Sequence, residues 1–217
     1  MLHSAVGGPA EPTRVFVLRH GQTAWNLARR MQGHLDEPLD DTGRWQAERL
    51  GQALASEGIQ ALYSSDLQRA AATAAPLAQR LGMPVALHRA LRERSFGEFE
   101  GISYADIGLR WPDATSAWRA REVDFCPGGG ESLTAFAARC VPAVAQLAAR
   151  HAGQAIAIFS HGGVLDCLYR AATHVDLAAQ GSWLLGNATI NRLLYTGEGF
   201  SLVGWNDDAH LLPDAPA

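Results

Sequence analysis

Two segments restrict what this chain can fold into more than any others: RVFVLRHG at residues 14–21 and AIAIFSHGG at residues 155–163. In each, a continuous apolar run that reads as a buried strand ends on a histidine followed by glycine. The next residues, HGQTAWNLARR in one case and GGVLDCLYRA in the other, can begin a helix directly. Strands handing over to helices in this way belong to layered α/β architectures, where ligands collect beyond the carboxyl ends of the strands. His20 and His161 are therefore predicted at helix starts, where free N–H groups and a positive dipole favour an anion.

The rest of the chain alternates short apolar runs with longer segments of helical period and contains no internal repeat, which suggests an α/β sandwich. Thr42 to Glu57 is predicted to be helical, with Ala47, Leu50, Ala53 and Leu54 on one face and Gly58 ending it. ALYSS reads as a strand. DLQRAAATAAPLAQRLG reads as a helix that Pro76 should kink or split, and Val85 to Leu87 as a short strand. After LRERSFGEFEG, the stretch to Gly130 reads as irregular and as a cap over the site. Ser132 is placed to cap a long helix to His151 that buries Leu133, Phe136, Cys140, Val144 and Leu147 despite Pro142. TINRLLYT and FSLVGW read as a hairpin at or near a sheet edge.

Composition narrows the functional classes. No apolar run approaches the roughly 20 residues of a membrane span, and residues 1–13 have neither a basic start nor an apolar signal core. Cys126, Cys140 and Cys167 form no CxxC pair and cannot all pair within one chain, which argues for a reducing cytoplasm. A net charge of -4 without a basic stripe argues against nucleic acid as a partner. All 18 cationic side chains are arginine. Among them, Arg19 and Arg69 would bring permanent charge and planar, paired donors suited to phosphoryl oxygens.

LRHGQTAWN, SSDLQRAAATA, LRERSFGEFEG and SHGG occur in that order. With these motifs the chain resembles, from Arg14 to about Leu211, the histidine phosphatase superfamily, also called phosphoglycerate mutase-like. Its RHGxT signature stands here as Arg19, His20, Gly21, Gln22 and Thr23. The acidic residue usual after the glycine is replaced by Gln22, a position outside the family's phosphate-contacting set. The resemblance implies a three-layer α/β/α sandwich with a central, mostly parallel sheet. Chain length favours one domain, placed over residues 14–211 with a cap insertion at about 94–130, and the Gly-, Pro- and Ala-rich start and the chain end read as disordered tails at 1–13 and 212–217. The resemblance also implies His20 as nucleophile, Arg19, Arg69 and His161 gripping the phosphoryl oxygens, and Glu93 as proton donor. Asn26 would lie in the phosphate pocket, Gln32 and Gly33 would line the substrate mouth, and Gly162 would offer its backbone N–H.

Elementary chemistry is consistent with these roles. Neutral imidazole, with an ordinary pKa of about 6.5, is a competent nucleophile near neutral pH. Two arginines, a protonatable His161 and helix termini would supply the charge stabilisation often given by magnesium, so no metal or other cofactor is expected. Glu93 could instead form an ion pair with Arg92 or Arg94, and Glu98 and Glu100 read as structural or rim residues. His3, His34, His88, His151, His174 and His210 lack a metal-ligand spacing. Of these, His34 is placed at the entrance and His210 as an anchor for the chain end. Trp111 and Trp118 read as cap core or substrate contacts, core being favoured.

Hydrolysis of a small phosphorylated metabolite is the favoured activity. A cofactor-dependent phosphoglycerate mutase is the main alternative, but it would need a gripping lysine, a tandem arginine pair, an HGN motif and a longer cap. Here there is no lysine, only Arg119 and Arg121, and the motif is His161, Gly162, Gly163. The turn Gly130, Glu131, Ser132 resembles those of broad-specificity and α-ribazole phosphatases alike, and a fructose-2,6-bisphosphatase-like activity stays open. A catalytically inactive phosphate-binding module is a further alternative, opposed by the presence of all five principal site residues. Neither nucleic acid nor membrane is expected as a partner. Oligomeric state is left open, a homodimer being one option.

Overall fold

Among residues 11–212, which this computed structural model describes, six strands form one sheet. They are β1 (Thr13–Arg19), β2 (Ile59–Ser64), β3 (Val85–Leu87), β4 (Ala155–Ser160), β5 (Ile190–Thr196) and β6 (Gly199–Asp207), in the order β3-β2-β4-β1-β5-β6. The first four run parallel, and the β5–β6 hairpin adds an antiparallel edge. The helices are α1 (Ala24–Leu27), α2 (Asp41–Leu54), α3 (Gln68–Leu81), α4 (Tyr104–Arg110), α5 (Pro112–Arg119), α6 (Leu133–Ala148) and α7 (Gly162–Thr173).

Side chains alternating along β1 and β4 serve opposite faces, as a pleated strand requires. Phe16, Leu18, Ala157 and Phe159 pack with Leu50 and Leu54 of α2 and with Ala74 and Leu77 of α3. Val15, Val17, Ile156 and Ile158 pack with Phe136 and Val144 of α6 and Leu165 and Leu168 of α7. Three layers result, and every residue of β4 is buried because helices cover both of its faces. Met31, Phe99 and Ile107, joined by Trp111 and Trp118, form a separate small core beneath the cap. No helix among the described residues is long and apolar enough to cross a membrane. All three cysteines are free thiols, Cys140 and Cys167 buried.

The structure departs from expectation at several points. α7 starts directly after His161, but His20 leads into a turn, and α1 is a single helical turn beginning at Ala24. Thr23 and Asn26 cap each other reciprocally, and the chain then leaves the helix through Arg29, at φ +49°. α3 and α6 each stay one helix through Pro76 and Pro142. At Pro76 the missing backbone donor is tolerated where α2 packs closely at Gly51. The cap is less irregular than anticipated: α4 is capped by Ser103 and α5 starts on Pro112. Thr13, expected in a tail, opens β1, and its hydroxyl donates to Ala148 O and His151 O at 2.9 and 3.0 Å. Glu11, also expected in the tail, accepts from Gly153 N at 3.1 Å; residues 1–10 and 213–217 of the expected tails lie outside the described residues.

Two glycines press the His20 turn against α2. A Cβ at Gly21 would meet Gly43 O at 2.5 Å, and one at Gly43 would meet Gln22 O at 2.0 Å. Gly43→Ala is expected to cost about 1–3 kcal/mol by overpacking. Gly108→Ala, in α4 with nothing within 4 Å of the new methyl, should add roughly 0.5–1 kcal/mol. Thermal unfolding checks the contrast, at about 2–4 °C per kcal/mol for a chain of this size. A neutral Gly43→Ala would refute the close-contact reading.

Candidate active site

Because β1 and β4 are parallel neighbours at the centre of the sheet, with Arg19 opposite Ser160, the residues following them emerge side by side at its carboxyl end. The rings of His20 and His161 lie 5.3 Å apart. His20 N donates to Ser160 O at 3.0 Å, and His20 O accepts from Asn187 Nδ2 at 2.9 Å and Ala188 N at 3.3 Å. Its ring Nδ1 lies 2.7 Å from Gly21 O. A carbonyl can only accept, so Nδ1 carries the proton and Nε2 keeps its lone pair. Burial first, and then Arg69 and Arg19, hold the His20 imidazolium well below its ordinary pKa.

Arg69, at the start of α3, is fully buried. It donates Nη1 to Leu35 O and Nη2 to Gly33 O, both at 2.8 Å, which fixes the Gln32–Leu35 loop. Burial lowers its pKa to about 10, and it stays cationic at neutral pH. Thr73 Oγ1 accepts from Gly21 N and donates to Arg69 O, joining this helix to the His20 turn. Arg19 donates Nη1 to Leu185 O. Among the described residues, Arg19 Nε, Arg69 Nε, Gln32 Oε1 and both ring nitrogens of His161 are buried without a hydrogen-bond partner.

His161 was expected to be protonatable. It is fully buried, and burial, followed by Arg69, His20 and Arg19, depresses its pKa well below the ordinary value. In the free protein it is therefore a neutral ring that can donate one N–H.

Glu93 forms neither of the alternative ion pairs. Arg92 makes a two-point pair with Asp66, both contacts at 2.7 Å, and the Arg94 guanidinium donates to Glu131 O and Phe125 O. Glu93 Oε1 accepts from Arg94 N at 2.8 Å, and Oε2 from Gly163 N at 3.1 Å. Arg139 donates to the carbonyls of Ala90, Arg92 and Glu93 while paired with Glu131. His34, placed by sequence at the entrance, also bonds Glu93 O, at 2.8 Å.

Arg19, His20, Asn26, Gln32, Gly33, Arg69 and Glu93 line a single cavity of about 110 Å³. The His161 ring sits 5.3 Å from that of His20 without being part of the lining, and Gly162 faces an adjoining chamber. Asn26 spends its Oδ1 on Thr23 and Asn187, leaving its amide N–H groups for the cavity. Gly33 is at φ +52°, and a Cβ there would meet the Glu100 carboxylate at 2.2 Å. Glu100 accepts from Phe96 N and Ser95 Oγ, the structural part expected of it. Gln22 bonds Asp40, the cap of α2, at 3.0 Å and takes no part in the cavity wall.

Sequence reasoning missed Asn187, Gly163 and Tyr104. Gly163 has a signal in hindsight, as the second glycine of SHGG: a Cβ there would meet Glu93 Oε1 at 2.2 Å. Asn187 and Tyr104 lie in segments without a motif, and only the fold brings them in. No group of three or more His, Cys, Asp or Glu among the described residues is placed to hold a metal ion.

The profile of the histidine phosphatase superfamily (branch 1) matches residues 15–208. The chain is 38% identical over 201 residues to Phosphoglycerate mutase-like protein 4 of Arabidopsis thaliana, covering 91% of this chain and 86% of that protein. It is 34% identical over 205 residues to the Metal-independent phosphoserine phosphatase of the same plant, with 93% and 84% covered. The solved structure of a mycobacterial glucosyl-3-phosphoglycerate phosphatase complexed with VO3 aligns with a TM-score of 0.81 at 35% identity, covering 90% of this chain and 99% of that one.

Lowered imidazole pKa values leave the neutral ring dominant above them. Nitrogen-15 NMR of the ligand-free protein should therefore show His20 neutral with the proton on Nδ1, and His161 neutral, at pH 6, where an ordinary imidazole of pKa about 6.5 is mostly charged. Either ring titrating near 6.5 would contradict the account.

Proposed function

The chain belongs to the histidine phosphatase superfamily, and on that footing we propose that it hydrolyses a small phosphorylated metabolite through a phosphoryl group carried on Nε2 of His20. One observation carries the reading: the bond from His20 Nδ1 to Gly21 O leaves the Nε2 lone pair at a cavity shared with Arg19 and Arg69. In the first step the Nε2–P bond forms as the P–O bond to the alcohol breaks. Glu93 gives its proton to the departing oxygen. In the second step Glu93, now a carboxylate, takes a proton from water as that water attacks phosphorus. The P–N bond breaks, and inorganic phosphate leaves.

Charge on the equatorial oxygens is met by Arg19 and Arg69, by the Asn26 amide and by an N–H of His161. The Gly163 N–H is spent on Glu93, so Gly162 is the residue of this pair left to face the ligand. Relatives whose names state phosphoserine and glucosyl-3-phosphoglycerate phosphatases support water as the final acceptor. The buried free thiols support a reducing compartment, the cytoplasm.

Glu93→Gln tests the acid. Alkyl alkoxides leave poorly without a proton, whereas nitrophenolate departs as an anion. The substitution should slow single-turnover phosphorylation by glycerol phosphate about 10²–10⁴-fold and by nitrophenyl phosphate far less. Equal slowing of both would move the acid role elsewhere. Because guanidinium groups supply the positive charge, turnover should also survive exhaustive chelation. Loss with EDTA and rescue by a divalent ion would overturn that part.

A further inference from the structure

Next to the phosphoryl cavity lies a second chamber of about 350 Å³. Arg19, Glu93, Phe96, Tyr104 and Trp118 line both. If Glu93 protonates the leaving oxygen, that oxygen sits at the junction and the remainder of the alcohol extends into the second chamber. The chamber's size and chemistry then describe the leaving group.

Its walls are of two kinds. On the cap side Trp118 stands between Phe96 and Tyr104, with ring centroids 6.3 and 5.7 Å away. This continuous aromatic surface comes from a single segment of the chain. Across from it, Arg121 reaches from the end of α5 to α7, donating Nη2 to Asp166 Oδ2 at 2.8 Å and Nε to Leu177 O at 3.1 Å. The same Asp166 oxygen accepts from Arg170 Nε at 3.0 Å. Asp166 Oδ1 and Arg121 Nη1 have no hydrogen-bond partner among the described residues, so this ion pair keeps one acceptor and one donor in reserve. Arg121 holds this position with its backbone at φ +57°, a conformation non-glycine residues seldom adopt.

An aromatic wall facing an adjacent donor and acceptor suits a ring with apolar C–H faces and hydroxyls around its rim. A carboxylate on the leaving group would be drawn to Arg121 but repelled by Asp166, which is fixed beside it. A three-carbon alcohol would leave most of the chamber unused. Building on the phosphatase reading above, we propose that this chamber is a leaving-group subsite for a carbohydrate. In it the sugar ring packs on Trp118 and its hydroxyls bond Asp166 Oδ1 and Arg121 Nη1.

The test compares kcat/KM for four esters: glycerol 3-phosphate, 3-phosphoglycerate and the 2-O-glucosyl derivative of each. Glucosylation should raise kcat/KM at least tenfold on both parents. Asp166→Asn and Trp118→Leu should each reduce that glucosyl-to-parent ratio about tenfold, whatever happens to the absolute rates. The ratio is insensitive to partial loss of folded enzyme, and if one variant does not fold the other carries the test. Parents hydrolysed with no glucosyl advantage would overturn the subsite while leaving the phosphatase reading intact. So would a ratio unchanged in both variants, or a carboxylate worth more than the sugar. Hydrolysis of none of the four esters, nor of nitrophenyl phosphate, would remove both proposals.

Discussion

Arg69, His20 and His161 are buried and Arg19 half-buried within one small volume, and among the described residues the one carboxylate lining the phosphoryl cavity is Glu93. Desolvated like charges repel, and a buried donor without a partner costs about 1–3 kcal/mol. Two features make the cluster tolerable. Burial keeps both imidazoles neutral, and the carbonyls of Gly33, Leu35 and Leu185 take the arginine donors that do not face the ligand. What is left unpaired is a set of N–H groups that a phosphoryl dianion can satisfy, the preorganised arrangement that stabilises developing charge without reorganisation.

The rest of the fold holds that set in register. Parallel pairing of β1 with β4 puts the histidines side by side. The loop after α7 then acts as a tie between regions. Leu185 meets Arg19, Asn187 holds the carbonyl of His20, Leu177 accepts from Arg121, and Gln180 bonds Arg119 O. Trp183, stacked on Tyr169 at 4.2 Å and with the Arg170 guanidinium over its ring at 4.6 Å, anchors the middle of this loop. One connection thus links the cap to the backbone of the nucleophile.

Much of this was legible before the structure. Continuous apolar runs located β1 and β4, helical periodicity located α2 and α6, the terminal hairpin was read from its two strand-like segments, and the motif residues Arg19, His20, Asn26, Gln32, Gly33, Arg69 and Glu93 converge on one cavity. What escaped depends on contacts distant in sequence or on side chains competing with the backbone. α1 stops after one turn because Thr23 and Asn26 bond each other. α4 and α5 are too short, at 7 and 8 residues, for periodicity to stand out beside Gly108, Trp111 and Pro112. The Arg139–Glu131 pair that steadies the Glu93 segment, and Asn187 at the His20 carbonyl, are products of the fold alone. The protonation state of His161 likewise follows from burial, which no local pattern reports.

The central claim is that Nε2 of His20 accepts the phosphoryl group while the neighbouring His161, equally buried, does not. Phosphohistidine survives alkali, so enzyme quenched into base during turnover of a labelled phosphomonoester can be digested and mapped. The account predicts label on the peptide containing His20, attached through Nε2, and none on the peptide containing His161. Label on His161, attachment through Nδ1 of His20, or turnover with no phosphorylated histidine would contradict it.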